Sequence, residues 1–98
     1  MAVYVISEVE IVNAEAADRY RELAATSIAA YGGRYLARGA DPEVVEGDST
    51  NRRIVIVEFA SMERAKEWYN SSAYAEALQF RDTALERRLM FVPGLEVT

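Results

Sequence analysis

The chain has no cysteine and no histidine among its 98 residues. Without cysteine it cannot form a disulfide, a thiol nucleophile or a thiolate metal site, which fits a reducing compartment. Without histidine it lacks the commonest general base and the commonest metal ligand. Serine–histidine triads, histidine-ligated haem and typical zinc sites are therefore excluded. Any catalysis by the chain has to use carboxylates, tyrosine, arginine or lysine, and we expect no metal and no resident cofactor.

The chain also lacks an excess of positive charge and any long apolar run. Its net charge is −5 and its pI is near 4.7, which disfavours nucleic acid or an anionic membrane as a partner. No apolar run approaches the roughly 20 residues of a membrane span, and no basic leader is recognisable, so we expect a cytoplasmic protein. The length predicts one domain over residues 1–98, small enough that self-association adds useful stability.

The first half of the chain alternates between strand and helix patterns. Apolar residues at every second position predict a strand over residues 3–12. Asn13 is a good N-cap for a helix over residues 14–31, which the glycine pair at 32 and 33 ends. A second strand is predicted over residues 34–38, with a continuation over residues 43–46.

The second half repeats the pattern. β-Branched and aromatic residues predict a third strand over residues 53–60, and Ser61 caps the helix that follows. The sequence Asn70-Ser71-Ser72 breaks or bends this helix, whose pattern resumes through Leu85. A short final strand is predicted over residues 89–92.

The resulting β-α-β-β-α-β order predicts an α+β, ferredoxin-like fold with a four-stranded antiparallel sheet. Right-handed crossovers place both helices on one face of the sheet. The other face then exposes apolar side chains, which are Ile6, Leu36, Ile54 and Ile56. Since such a face promotes aggregation unless it is covered, we expect a homodimer in which two sheets pack face to face.

Several segments also match a known family. Residues 27–39 (SIAAYGGRYLARG), the Val57-Glu58-Phe59 sequence and residues 68–71 (WYNS) resemble the domain of unknown function 1330 family. This resemblance covers nearly the whole chain and implies a dimeric α+β barrel, but it implies no reaction. The chain departs from the family pattern at Ser72-Ala73 and in the charged residues 86–88.

The first candidate site combines Glu8, Glu58 and Arg38. Residue parity places Glu8 and Glu58 on one face of the sheet, and counting through the predicted hairpin places Arg38 roughly opposite Glu58. An arginine facing a carboxylate can orient a small anionic or carbonyl ligand, and a desolvated glutamate can act as a general base. The alternative is a structural cross-strand ion pair. Two carboxylates alone are too few ligands for a metal.

Two further groups are candidates for substrate binding. Ser27 and Tyr31 share a helix face and precede Arg34, so they could hold a carboxylate or a phenol. Trp68 and Tyr69 form an aromatic patch with Tyr74, which could line the mouth of a pocket. The alternative in both cases is that these side chains only complete the core or an interface.

Two functions remain open from the sequence. One is a cofactor-independent enzyme that acts on a small acidic or aromatic metabolite, with Glu58 and Glu8 as catalytic residues. The other is a non-catalytic protein that binds a small molecule or serves as a dimerisation module. A solvent-connected cavity of roughly 300 Å³ or more would favour ligand binding, and a fully packed interior would favour a structural role.

Overall fold

The computed structural model describes residues 1–95. Within these residues the chain forms four strands and three helices, in the order β1-α1-β2-β3-α2-α3-β4. Their bounds are β1 Val3–Ile11, α1 Ala14–Ala30, β2 Arg34–Ala40, β3 Arg53–Phe59, α2 Met62–Tyr69, α3 Ser72–Ala84 and β4 Leu85–Pro93.

The strands form one antiparallel sheet in the order β2-β3-β1-β4, with the helices on one face. This is the ferredoxin-like arrangement, so the predicted α+β fold with a four-stranded antiparallel sheet is confirmed. The core lies between sheet and helices because every second residue of β1 points towards α1 and α3. Its buried residues include Val3, Val5, Phe59, Trp68 and Tyr74.

Helix boundaries follow from side-chain caps. The Asn13 side chain accepts a hydrogen bond from the Ala16 amide, and Ser61 does the same for Arg64. Ser71 caps α3 by accepting from the Tyr74 amide, so the predicted break at residues 70–72 separates two helices. After α1 the chain turns through Gly32, whose φ of 76° favours glycine.

Two predicted strand segments differ from the structure. Residues 43–46 form no strand, and β3 begins only at Arg53 after an exposed loop. β4 begins at Leu85 rather than residue 89, because α3 ends at Ala84 and the next residues pair at once with β1. The apolar residues around Leu85 fit either the end of a helix or the start of a strand. The predicted boundary was wrong because residue spacing alone does not distinguish the two.

Strand β2 carries two irregularities that set the direction of its side chains. The register with β3 shifts between Tyr35 and Ala37 and again between Arg38 and Ala40. Each extra residue reverses the face on which the following side chains lie. The first shift sends Arg38 to the helix side of the sheet, and the second, at Gly39 with a φ of 92°, returns Ala40 to the other face.

Among residues 1–95, no helix is both long and apolar enough to span a lipid bilayer.

Candidate functional site

A cavity of about 350 Å³ lies between the sheet and helix α1. Its floor is formed by inward-facing residues of β1 and β3, which alternate with residues on the other face. The walls are largely apolar and include Val5, Val9, Ile28, Val55 and Trp68. The cavity is therefore large enough for a small organic molecule and apolar enough to bind one.

At the β4 end of the cavity, a half-buried guanidinium is held by two tyrosines. Arg87 of β4 donates through Nη1 to the Tyr20 hydroxyl and through Nη2 to the Tyr74 hydroxyl. The two hydroxyl oxygens are 2.6 Å apart and share a hydrogen bond. Tyr20 lies on α1 and Tyr74 on α3, so this triangle ties both helices to the edge of the sheet.

Burial raises the pKa of Tyr74 well above its ordinary value, an effect that neighbouring Tyr20 reinforces and Arg87 only partly opposes. Tyr74 therefore stays protonated. Each hydroxyl has one hydrogen and accepts from Arg87, and the hydrogen bond between the two hydroxyls uses only one of the two hydrogens. Either hydroxyl can donate in that bond. When Tyr74 donates, the hydrogen of Tyr20 is free, and Tyr20 lines the cavity whereas Tyr74 does not.

The charge of Arg87 has no carboxylate partner in this triangle. Its recorded side-chain contacts are with neutral hydroxyls, and no Asp or Glu is among the residues that line the cavity in the described part of the chain. A half-buried cation without a counter-charge is partly desolvated at a cost in free energy. The β4 end of the cavity is therefore electrostatically suited to an anion.

Ser7 adds a second unsatisfied polar group. It is only 5% exposed and lines the cavity, and its Oγ has no hydrogen-bond partner among residues 1–95. Buried hydroxyls normally have a partner, so an unsatisfied one marks a place where water or a ligand binds. On the sheet, Ser7 is diagonal to Arg87, because Ser7 pairs with Leu89 and Val9 pairs with Arg87.

The mouth of the cavity is lined by three exposed arginines, Arg21, Arg38 and Arg53. Arg38 lies over the ring of Tyr35, with its guanidinium carbon 4.4 Å from the ring centroid. Burial raises the pKa of Tyr35, although nearby Arg38 opposes this effect. Arg21 pairs with Asp18, and Arg53 lies 3.8 Å from Asp41. The cavity thus has positive charge at both ends.

The predicted catalytic residues Glu8 and Glu58 lie on the opposite face of the sheet. Glu58 accepts from Arg34 at 2.8 Å, and Glu8 accepts from Arg88 at 2.6 Å. Both carboxylates keep more than a quarter of their surface exposed, and neither lines the cavity. The shared face of Glu8 and Glu58 was predicted correctly, and each is in an intrachain ion pair.

The predicted position of Arg38 was wrong. Arg34, not Arg38, lies opposite Glu58, and Arg38 lies opposite Val55. The prediction assumed regular pairing and a longer β2, whereas the two register shifts turn Arg38 towards the helices. In the structure, Arg38 therefore lines the cavity, whereas Glu8 and Glu58 lie on the other face of the sheet.

The remaining predicted residues lie near the core. Ser27 is 1% exposed, accepts from Trp68 Nε1 at 3.0 Å and donates to the Ala24 carbonyl. Tyr31 caps the end of α1 beneath the guanidinium of Arg64. Trp68 is buried and also lines the cavity, whereas Tyr69 packs on Tyr74 and Phe91 outside it.

The sequence analysis missed Ser7, Tyr20 and Arg87. The sequence contains a signal for two of them. Ser7 is a polar residue among the inward-facing apolar residues of β1. Arg87 lies at the same alternate positions of β4 as Leu85, Leu89 and Phe91. Beginning the last strand at residue 89 left Arg87 outside it and concealed that pattern. Nothing in the sequence distinguishes Tyr20 from an ordinary core aromatic.

In the described part of the chain, no group of three or more acidic side chains is arranged to hold a metal ion. The groups that face the cavity are guanidinium and hydroxyl donors, which suit an anion and not a cation.

Solved structures with the same fold come from distant relatives. A protein of unknown function from Rhodopseudomonas palustris superposes with a TM-score of 0.81 at 19% identity, covering 98% of this chain and 84% of that one. SnoaB, a cofactor-independent oxygenase from Streptomyces nogalater, superposes with a TM-score of 0.62 at 7% identity, and the match covers 98% of this chain and 95% of SnoaB. A protein from Mycobacterium tuberculosis superposes with a TM-score of 0.60 at 15% identity, and the match covers 99% of this chain and 98% of that protein.

These similarities establish the fold alone. No curated protein matches the chain in sequence. A family model does match it, over residues 2–95, which include every residue of the cavity. The chain therefore belongs to the family described as domain of unknown function (DUF1330).

Proposed function

We propose that this protein binds a small organic anion with an apolar body in the cavity beneath α1. The observation that carries the proposal is the half-buried Arg87, which is held by two neutral hydroxyls and forms no ion pair with a carboxylate of residues 1–95. An anionic ligand supplies the missing charge, and the apolar walls hold its body. The unsatisfied Ser7 Oγ supports the same ligand class, as does the hydrogen that Tyr20 has free when Tyr74 donates to it.

Benzoate is a suitable first probe, because it combines one carboxylate with an apolar ring. We expect calorimetry to detect benzoate binding and no binding of benzamide, which has the same shape without the charge. Tyr20→Phe removes one donor to the ligand, so we expect affinity to fall about tenfold, the effect of losing one charge-assisted hydrogen bond.

Glu58→Gln is the matched control, since Glu58 lies on the far side of the sheet in an exposed pair with Arg34. It should leave benzoate affinity unchanged and alter the free energy of unfolding by less than about 1 kcal/mol. Equal binding of benzamide and benzoate, or a loss of affinity in Glu58→Gln with none in Tyr20→Phe, contradicts the proposal.

Catalysis is the second candidate function, and the same triangle favours it. Donors fixed around one point stabilise negative charge that develops on a bound oxygen. Since no carboxylate lines the cavity among the described residues, the negative charge has to come from ionisation of the substrate itself, as in a phenol or an enol. The oxygenase activity given for SnoaB belongs to a protein only 7% identical and supports this candidate by fold analogy alone.

This candidate predicts that the cavity makes a bound phenol more acidic. With 4-nitrophenol, whose anion absorbs visible light, we expect the pKa of the bound probe to fall by about one unit, because a nearby cation favours the ionised form. Absorbance titration with and without the protein measures this shift. An unchanged or raised pKa in the bound state rules out stabilisation of an oxyanion.

We further propose that a second copy of the chain covers the open face of the sheet. Its central row, read across the strands, is Ala37, Ile56, Ile6 and Met90. Adjacent rows contain the Arg34–Glu58 and Arg88–Glu8 pairs, so both carboxylates beside this apolar row are already neutralised. An apolar centre with paired charges at its margin is typical of a homodimer interface.

A further inference from the structure

The positive groups of the cavity are separated into two clusters. Arg87 lies at the β4 end of the cavity, and Arg38 lies at the mouth on β2. Three strand spacings, about 14 Å, separate their strands in the sheet order, and the two residues are also offset by two residues along the strands. Val55, Ser7 and Val9 lie between them on the same face and are small or apolar, while Arg53, in the row of Val9 and Arg87, is paired with Asp41.

The two clusters differ in their partners. Arg87 is bound by Tyr20 and Tyr74, whereas Arg38 is exposed and stacks on Tyr35. Arg38 forms no ion pair with a carboxylate of residues 1–95, while its neighbour Arg53 is only 3.8 Å from Asp41. The β2 irregularities direct Arg38 into the cavity, since regular pairing would place it on the open face.

From this arrangement we infer that the natural ligand is a dianion, with one acidic group at each end of an apolar body. One acidic group binds Arg87 and Tyr20 at the β4 end, and the other binds Arg38 at the mouth. Ser7 donates to the group at the β4 end from the sheet floor. This inference rests on the proposed function and adds the substrate class and the role of Arg38 in specificity.

Linear dicarboxylates from pentanedioate to decanedioate test the inference, each compared with its own monomethyl ester. Diacid and ester have the same chain length but differ by one charge. We expect the wild-type protein to bind at least one diacid about three- to tenfold more tightly than its ester, a modest gain because Arg38 is exposed. Calorimetry at low and high salt measures the difference, which salt should reduce.

Arg38→Met should remove this preference by weakening diacid binding to the level of the ester, with a much smaller effect on the ester and on benzoate, whose single carboxylate binds at Arg87. Arg19→Met is the matched control, because Arg19 is an exposed arginine of α1 outside the cavity. It should retain the full preference. Both variants remove one surface charge, so a general electrostatic effect would appear in both.

Each outcome bears on a different claim. If ester and diacid bind equally at every length, or if Arg38→Met weakens both alike, the dianion inference is wrong while single-anion binding stands. If benzoate binds but neither acid series does, the inference again fails alone. If benzoate also fails to bind, the proposed function itself is contradicted.

Discussion

Ile56→Lys is expected to convert the protein to a monomer. Ile56 is half-buried at the centre of the apolar row on the open sheet face, between Ala37 and Ile6. A face-to-face dimer has to bury the introduced ammonium without a partner, because Glu8 and Glu58 are already paired with arginines. Such a charge costs several kcal/mol, which is enough to dissociate a small interface. Sedimentation velocity measures the change directly.

Val45→Lys is the control for this experiment. Val45 is 89% exposed in the loop between β2 and β3, so the same change in charge there should leave the dimer intact. A wild-type protein that sediments as a monomer contradicts the proposed dimer. A lysine variant that remains dimeric shows that the interface lies elsewhere on the surface.

Arg87→Met is expected to abolish benzoate binding without destabilising the fold. Loss of a buried charged partner costs about 2–5 kcal/mol of binding, at least about thirtyfold in affinity. Stability should hold or rise, because methionine occupies similar space and removes a half-buried cation that forms no ion pair with a carboxylate of residues 1–95. The hydroxyls of Tyr20 and Tyr74 still bond each other. Calorimetry and urea unfolding measure the two effects.

Arg88→Met provides the comparison, since the neighbouring arginine points to the other face and pairs with Glu8. It should bind benzoate as the wild type does. Unchanged affinity in Arg87→Met contradicts the proposed site. A large loss of stability in this variant shows that Arg87 is primarily a structural residue.

The fold was predictable because its signals are local and consistent. Alternation in β1 and β3, the caps Asn13 and Ser61, and the break before Ser72 each agree with the structure. The open face was predicted for the same reason: once parity fixes Ile6, Ile54 and Ile56 on one side, the helices can cover only the other.

The site was less predictable because it depends on register and on distant contacts. Glu8 and Glu58 attracted attention as charges within apolar strands, yet each is neutralised by an arginine. Arg38 reaches the cavity only through two strand irregularities that sequence alternation does not reveal. Tyr20 and Arg87 are 67 positions apart, and only the finished packing of α1 on the sheet brings them together.

An organic anion is expected to bind on the helix side of the sheet, beside Arg87. Titration of ¹⁵N-labelled protein with benzoate, followed by NMR, tests this without any mutation. Trp68 is the single tryptophan and lines the cavity, so its indole N–H gives one assignable reporter signal. We expect this signal to shift together with the amides of Ser7 and Arg87. Shifts that instead cluster around Glu8, Arg34 and Glu58, or no shifts at all, rule out binding of the anion beside Arg87.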